Sequence, residues 1–303
     1  MHRLRTWQLF AVCVLIWGTT WHAVTYQLTG LAPEFAVACR FALAGGLVLA
    51  YGALSGRSWR LRAGDHGVLA LQGAFLYGIS YVCVYQAERF VASGLVAVGY
   101  SASPLIAGIG ARLLFRAPLG RRFVAGGLLG LFGIALVFWP ELVRPTRGGG
   151  VATGVTLTIA AVLLSSVGAL SASRNRHRGL TLLPVMGWGM VYGALTAALA
   201  GLVLGGSLEV PTLPSWWLSF AYLAIVASVV PFACFLTLQD RVGPGPAGTI
   251  GVMTPMLALV VSLVFEGFQP APLTGVGMVL AIAGNVLMLR PTRVGLRGVA
   301  ARP

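Results

Sequence analysis

The sequence predicts an all-α integral membrane protein of ten transmembrane helices, arranged as two inverted five-helix repeats with the N- and C-termini in the cytoplasm. Three observations lead there. Of 303 residues, 57% are hydrophobic and only 9% charged, against roughly 25% charged in an ordinary soluble domain, and the mean hydropathy is +0.87. Apolar stretches near the ~20 residues that cross a ~30 Å hydrocarbon core recur along the whole chain, separated by short arginine-bearing or Pro/Gly breaks. All 21 basic residues are arginines; with ten helices and the N-terminus inside, seventeen lie on the cytoplasmic side, three (Arg89, Arg144, Arg147) outside, and Arg40 within a span. That split is a strong positive-inside signal.

The ten spans fall at 7–28, 34–54, 67–87, 92–113, 122–140, 152–172, 181–204, 215–238, 245–265 and 272–289. The first carries Trp, Thr and His and lacks a small-x-small cleavage site, so it reads as a retained helix and not a removed signal peptide. The second opens after Pro33 and contains Arg40; the third carries Tyr77, Tyr81 and Tyr85. The fourth, eighth and ninth hold Pro104, Pro231 and Pro255 deep inside, where each proline removes a backbone hydrogen bond, kinks the helix and frees carbonyls to line a cavity; these are candidate hinges. The fifth and tenth are rich in small residues (Gly126, Gly130; Gly277, Ala281, Gly284), suited to close helix packing.

Sliding the chain against itself by 151 residues pairs Gly94 with Gly245, Pro104 with Pro255, Ala107 with Ala258, Gly126 with Gly277 and Gly133 with Gly284. Five helices per copy is an odd number, so the second copy enters the membrane from the opposite face. The organisation is therefore a first repeat (1–143), a linker (144–150), a second repeat (151–290) and a cytoplasmic tail (291–303). Inverted repeats place a site near the midplane between the halves.

The net charge of +14 follows from topology and lipid headgroups and needs no nucleic-acid partner. Cys13, Cys39, Cys83 and Cys234 stand singly without metal-ligand spacing and read as small hydrophobes. No metal or cofactor is expected. A GxxxxGK[ST] phosphate loop is absent, which excludes direct ATP drive by this chain.

The stretch CVLIWGTTWHAVTYQ, residues 13–27, places polar and aromatic groups where lipid would favour leucine. Counting from Trp7, Trp17 lies about 15 Å deep, at the midplane. Trp17, Gly18, Trp21, His22 and Thr25 share one face and form a stripe fit to line a water-accessible cavity; helix packing is the plainer alternative. Tyr77, Tyr81 and Tyr85 repeat at a spacing of four toward Glu88, a candidate gate residue, and offer flat π surfaces with hydroxyls. Tyr100, one turn before Pro104, and the Trp188/Tyr192 pair are further candidates for substrate contact. Arg40 either snorkels to the outer headgroups or serves the site, holding a substrate carboxylate or pairing with Glu34 or Glu88.

Trp17-Gly-Thr-Thr20, Pro33 with Arg40-Phe41, GLVAVGYSASP ending at Pro104, its later copy GPAGTIGVMTP ending at Pro255, and FEGFQPAPLTGVGMVLAIAG from Phe265 to Gly284 resemble the ten-helix EamA-type members of the drug/metabolite transporter superfamily. Nearly the whole chain is covered. The resemblance implies the same topology, export of small metabolites, and a homodimer with the small-residue helix faces as candidate contacts; within the family the chain is similar to YddG-type exporters of aromatic and other amino acids. One departure stands out: where the family often has Glu at the end of the fourth helix, matching Glu266 at the end of the ninth, this chain has Phe115-Arg116.

The seven acids all fall at membrane edges or in loops, so no carboxylate is expected at the midplane to carry a proton. The reading is a uniporter driven by the substrate's own gradient, with proton-coupled transport of a drug or sugar derivative second. An intramembrane lipid-modifying enzyme would need clustered acids, a metal-spaced His set or a Ser/His pair, and none is visible. All-arginine usage with abundant Ala, Gly and Val hints at a GC-rich bacterial genome and hence the inner membrane.

Overall fold

The computed structural model describes residues 4–56, 61–116, 119–143 and 150–289. Most of the 144–150 linker, the 291–303 tail and several of the arginines counted above lie outside them. Every described element is helical, and ten membrane-crossing helices follow the expected order: α1 (Thr6–Thr25), α2 (Pro33–Leu54), α3 (Ala63–Ala87), α4 (Ser93–Leu114), α5 (Arg121–Val143), α6 (Val151–His177), α7 (Leu182–Val203), α8 (Pro214–Val242), α9 (Ile250–Phe265) and α10 (Pro272–Met288). Eight are long and apolar enough to span on their own, and α9 and α10 are shorter apolar helices.

Local sequence sets the ends. Pro33 and Pro214 stand in the first turns of α2 and α8, where a missing N–H costs nothing. Gly243 (φ 84) and Gly267 (φ 63) follow α8 and α9 in the left-handed region that stops a helix. The ninth span starts later than the hydropathy suggested, because Pro244-Gly-Pro246 permits only a short turn, Pro244–Ala247, before Ile250. Pro104 follows a 3₁₀ turn at Tyr100–Ala102, and Pro231 follows a π-helical stretch, Tyr222–Val229. A second π-helical stretch, Ala74–Ile79, interrupts α3, the repeat counterpart of α8. Neither π stretch was foreseen from sequence.

The packing reveals the inversion. Helix α5 lies on α10 and α2 on α7, so each packs on its own counterpart; α1 meets α8 and α9, while its counterpart α6 meets α3 and α4. Exchanging the halves leaves this pattern unchanged. At the α5–α10 seam a Cβ on Gly126 would collide with the Gly284 carbonyl, and one on Gly133 with the backbone of Gly277 and Ala281. As one index rises the other falls, so counterpart helices run antiparallel, as inversion requires. The small-residue faces of α5 and α10 are thus occupied by each other within the chain, backbone against backbone.

Candidate functional site

Between the halves lies a cavity, open on one side, walled by α1, α2, α3, α4, α6, α8 and α9; its non-atom space, open solvent at the mouth included, is about 1030 Å³. From α1 come Trp17, Thr20, Trp21 and Val24; from α2, Arg40; from α3, Leu76, Tyr81 and Val84; from α4, Tyr100 and Ser103; from α6, Ser165 and Ser166; and from α8, Phe232, Phe235 and Gln239. The wall continues to Pro244, Gly248 and Ile250 at the arginine-rich, cytoplasmic end.

The wall is chiefly apolar and carries six aromatic rings, those of Trp17, Trp21, Tyr81, Tyr100, Phe232 and Phe235. Trp17 meets Phe232 and Phe235 edge-on at 5.1 and 5.5 Å, and Trp21 lies 5.1 Å from Tyr100. These contacts hold the rings in place. The hydroxyl of Thr20 is consumed by the carbonyl of Ile16 (2.7 Å), as for a threonine in a membrane helix. Sequence alone did not single out Phe232, Phe235, Ser165 or Gln239, since lone side chains on apolar helices carry no periodic signal.

Arg40 does not snorkel: it is fully buried. Its Nε donates to Ser228 Oγ (3.0 Å) and its Nη1 to Tyr85 Oη (3.3 Å), while Tyr85 donates to Gln27 Oε1 (2.8 Å). The guanidinium lies 4.9 Å from the Tyr81 ring and 5.2 Å from Phe41, a cation–π arrangement. Its Nη2 has no partner. Ser228 sits in the π-helical stretch of α8, its own hydroxyl donating to the Leu223 carbonyl (2.8 Å); π turns often mark functional sites.

The other candidates are placed elsewhere. Tyr77 is fully buried against Phe41 and Phe232, and Tyr85 serves Arg40, so of the tyrosine stripe Tyr81 alone joins the wall. Trp188 and Tyr192 stack on each other against His66, whose Nδ1 lies 2.8 Å from Tyr192 Oη, on α7, which gives no residue to the wall. Pro255 lies inside α9 beside the wall residue Thr254. His22 turns to Glu266 (Nδ1···Oε1 3.1 Å).

Beyond Val24 and Ala97 the outer ends close on one another. Glu266, after α9, accepts from the Ser93 backbone N–H (3.1 Å) and from the Ser93 hydroxyl, and Ser262 Oγ accepts from Gly94 N–H (2.9 Å). A carboxylate here satisfies free N–H groups and the positive end of the α4 dipole. Glu34 accepts from Gln86 (2.6 Å). Glu88, just beyond α3, is buried with both carboxyl oxygens unpartnered; burial pushes it well above the usual carboxylate range, the Glu266 charge adds to this, and Arg40 opposes it.

Two inverted five-helix repeats around a central cavity are the architecture of a membrane transporter. The comparisons agree: the chain matches the EamA-like transporter family over residues 5–139 and again over 152–290, and it belongs to that family. Protein PecM of Dickeya dadantii is 27% identical over 278 residues, covering 90% of this chain and 89% of PecM. An uncharacterized inner membrane transporter of Escherichia coli K12, YedA, is 28% identical over 83% of this chain and 79% of its own. A probable terminal-alkyne amino-acid exporter of Streptantibioticus cattleyicolor is 25% identical over 98% and 97%. A solved crystal structure aligns with a TM-score of 0.68 over 93% of this chain and 95% of its own, at 18% identity, which shows the fold alone.

Proposed function

We propose that this chain exports small metabolites, amino acids including aromatic ones, by alternating access through the central cavity, as a uniporter of the bacterial inner membrane. The observation that carries this reading is the pairing of one buried guanidinium, with a free N–H, and a wall of aromatic rings: Arg40 takes the carboxylate while Trp17, Trp21, Tyr81 and Tyr100 receive the side chain. The amino-acid exporter among the relatives and the bacterial inner membrane relative support substrate class and location. The cavity reaches the cytoplasmic end while the outer end is sealed, an arrangement ready to load from inside.

The test is release of radiolabelled phenylalanine, tryptophan, threonine or alanine from proteoliposomes at matched pH. Faster release than from empty vesicles, with an aromatic bias, is expected; equal leak for all four overturns the amino-acid reading. Proton exchange is the second reading, favoured by the buried carboxyl of Glu88 near Arg40, and flux that vanishes when the proton gradient is collapsed would select it.

A further inference from the structure

The cavity wall is unbalanced in hydrogen-bonding character. Three buried donors on wall residues lack an acceptor: Arg40 Nη2, Trp17 Nε1 and Trp21 Nε1. No aspartate or glutamate is among the described wall residues. The unpartnered buried acceptors there are neutral, Gln239 Oε1 and the Ser166 hydroxyl.

Both lie far from Arg40. Ser228, which holds the guanidinium, precedes Gln239 by eleven residues on α8, about 16 Å at 1.5 Å per residue. Counted from the outer helix ends, Arg40 is the eighth residue of α2 and Ser166 the sixteenth of α6, a difference in depth of about 12 Å. An α-amino group sits on the carbon next to its carboxylate, so an amino acid anchored at Arg40 reaches neither acceptor with its ammonium. Arg40 itself lies over the rings of Tyr81 and Phe41, and the described wall offers the ammonium no carboxylate. The Arg40 charge acts on Glu88, but Glu88 forms no part of the wall. The ammonium would instead face the guanidinium, like charge against like.

We infer that the cavity selects monoanionic carboxylates with a flat apolar body and does not read an α-amino group, an inference that rests on the proposed role of Arg40 as carboxylate anchor. Deaminated and N-acylated aromatic acids then belong to the substrate class alongside aromatic amino acids. Moving such an anion outward carries negative charge out of the cell, which an inside-negative potential favours without a coupled proton.

Isothermal titration calorimetry on the purified full-length protein decides the matter, with phenylalanine, 3-phenylpropanoate and phenethylamine as probes. The expected result is that 3-phenylpropanoate binds within threefold of phenylalanine or more tightly, and that phenethylamine does not compete with either. Arg40→Gln lowers both acid affinities at least tenfold; the ligand series on the unaltered protein stands even if that variant fails to fold. Phenylalanine binding tenfold or more tightly than 3-phenylpropanoate overturns the inference while leaving the amino-acid reading in place, and loss of that preference in Glu88→Gln would identify Glu88 as the reader of the amine. Binding of none of the three overturns both.

Discussion

The two ends of the cavity are built from the same parts and closed differently. At the outer end the start of α4 meets the end of α9: Ser93 and Glu266 bind each other, and Ser262 takes the Gly94 N–H. Exchanging the repeats maps this junction onto the inner end, where the 151-residue offset replaces Ser93 by Pro244, Ser262 by Ala111 and Glu266 by Phe115. All three polar partners are gone. The outer end is sealed, whereas the cavity reaches Pro244 and Gly248 at the inner one. An inner ion pair, Arg176 with Asp240, joins α6 to α8 and is partly exposed, so its contribution is small. Backbone symmetry gives two gates, and side-chain asymmetry decides which is shut. The magnitudes suffice: hydrogen bonds to a charged group contribute about 1.5–3 kcal/mol each, and about 5.5 kcal/mol moves a two-state equilibrium from 1:99 to 99:1.

The largest test of this contrast is Glu266→Ala, which removes the acceptor shared by Ser93 and His22 and leaves the α4 N-terminus uncapped. Labelling of a Val24→Cys reporter by an impermeant thiol reagent from outside should rise at least tenfold. Ser262→Ala removes two neutral hydrogen bonds, one from Gly94 N–H (2.9 Å) and one with the Ser93 hydroxyl (3.1 Å), about 0.5 kcal/mol each at the low end of the usual range, and should raise the same labelling about fivefold. Next comes pH. Because Glu88 titrates above the usual carboxylate range in the sealed state, raising the pH from 5 toward that higher value progressively charges a buried, unpartnered carboxyl and weakens the seal. Labelling should be greater at pH 8 than at pH 5, and the slope should shrink in Glu88→Gln. The smallest effect is expected from Phe115→Glu, below twofold, because Pro244 has no N–H for the new carboxylate to cap. Within the cavity that these gates enclose, Tyr81→Ala should weaken transport of aromatic substrates more than of aliphatic ones, measured as paired efflux from proteoliposomes.

Much of the fold was legible because hydrocarbon imposes a length and a hydropathy on every span, and because the glycines repeated at one offset. The tryptophans of α1 were legible for the same reason: at midplane depth they have no headgroup to meet, and Trp17 and Trp21 do stand in the wall. Spacing read the tyrosines of α3 less well. Four residues overshoot a 3.6-residue turn, so Tyr77, Tyr81 and Tyr85 drift around the helix, and the π stretch at Ala74–Ile79 breaks the regular spacing at Tyr77. Trp188 and Tyr192 share a face of α7, but no local pattern reveals that α7 stands behind α2 and α3. Ser228 escaped notice because its place depends on an irregular turn, and Glu266 showed its position but not its partners.

The seam between α5 and α10 is, in effect, a two-fold oligomer interface folded into one polypeptide. Gly126 touches Gly284, the counterpart of Gly133, and Gly133 touches Gly277, the counterpart of Gly126. Each half therefore carries one complete side of a self-complementary contact, as a subunit of a symmetric dimer does. The covalent linker supplies proximity and little of the specificity, so the two halves made as separate polypeptides have the surfaces to find each other in the membrane.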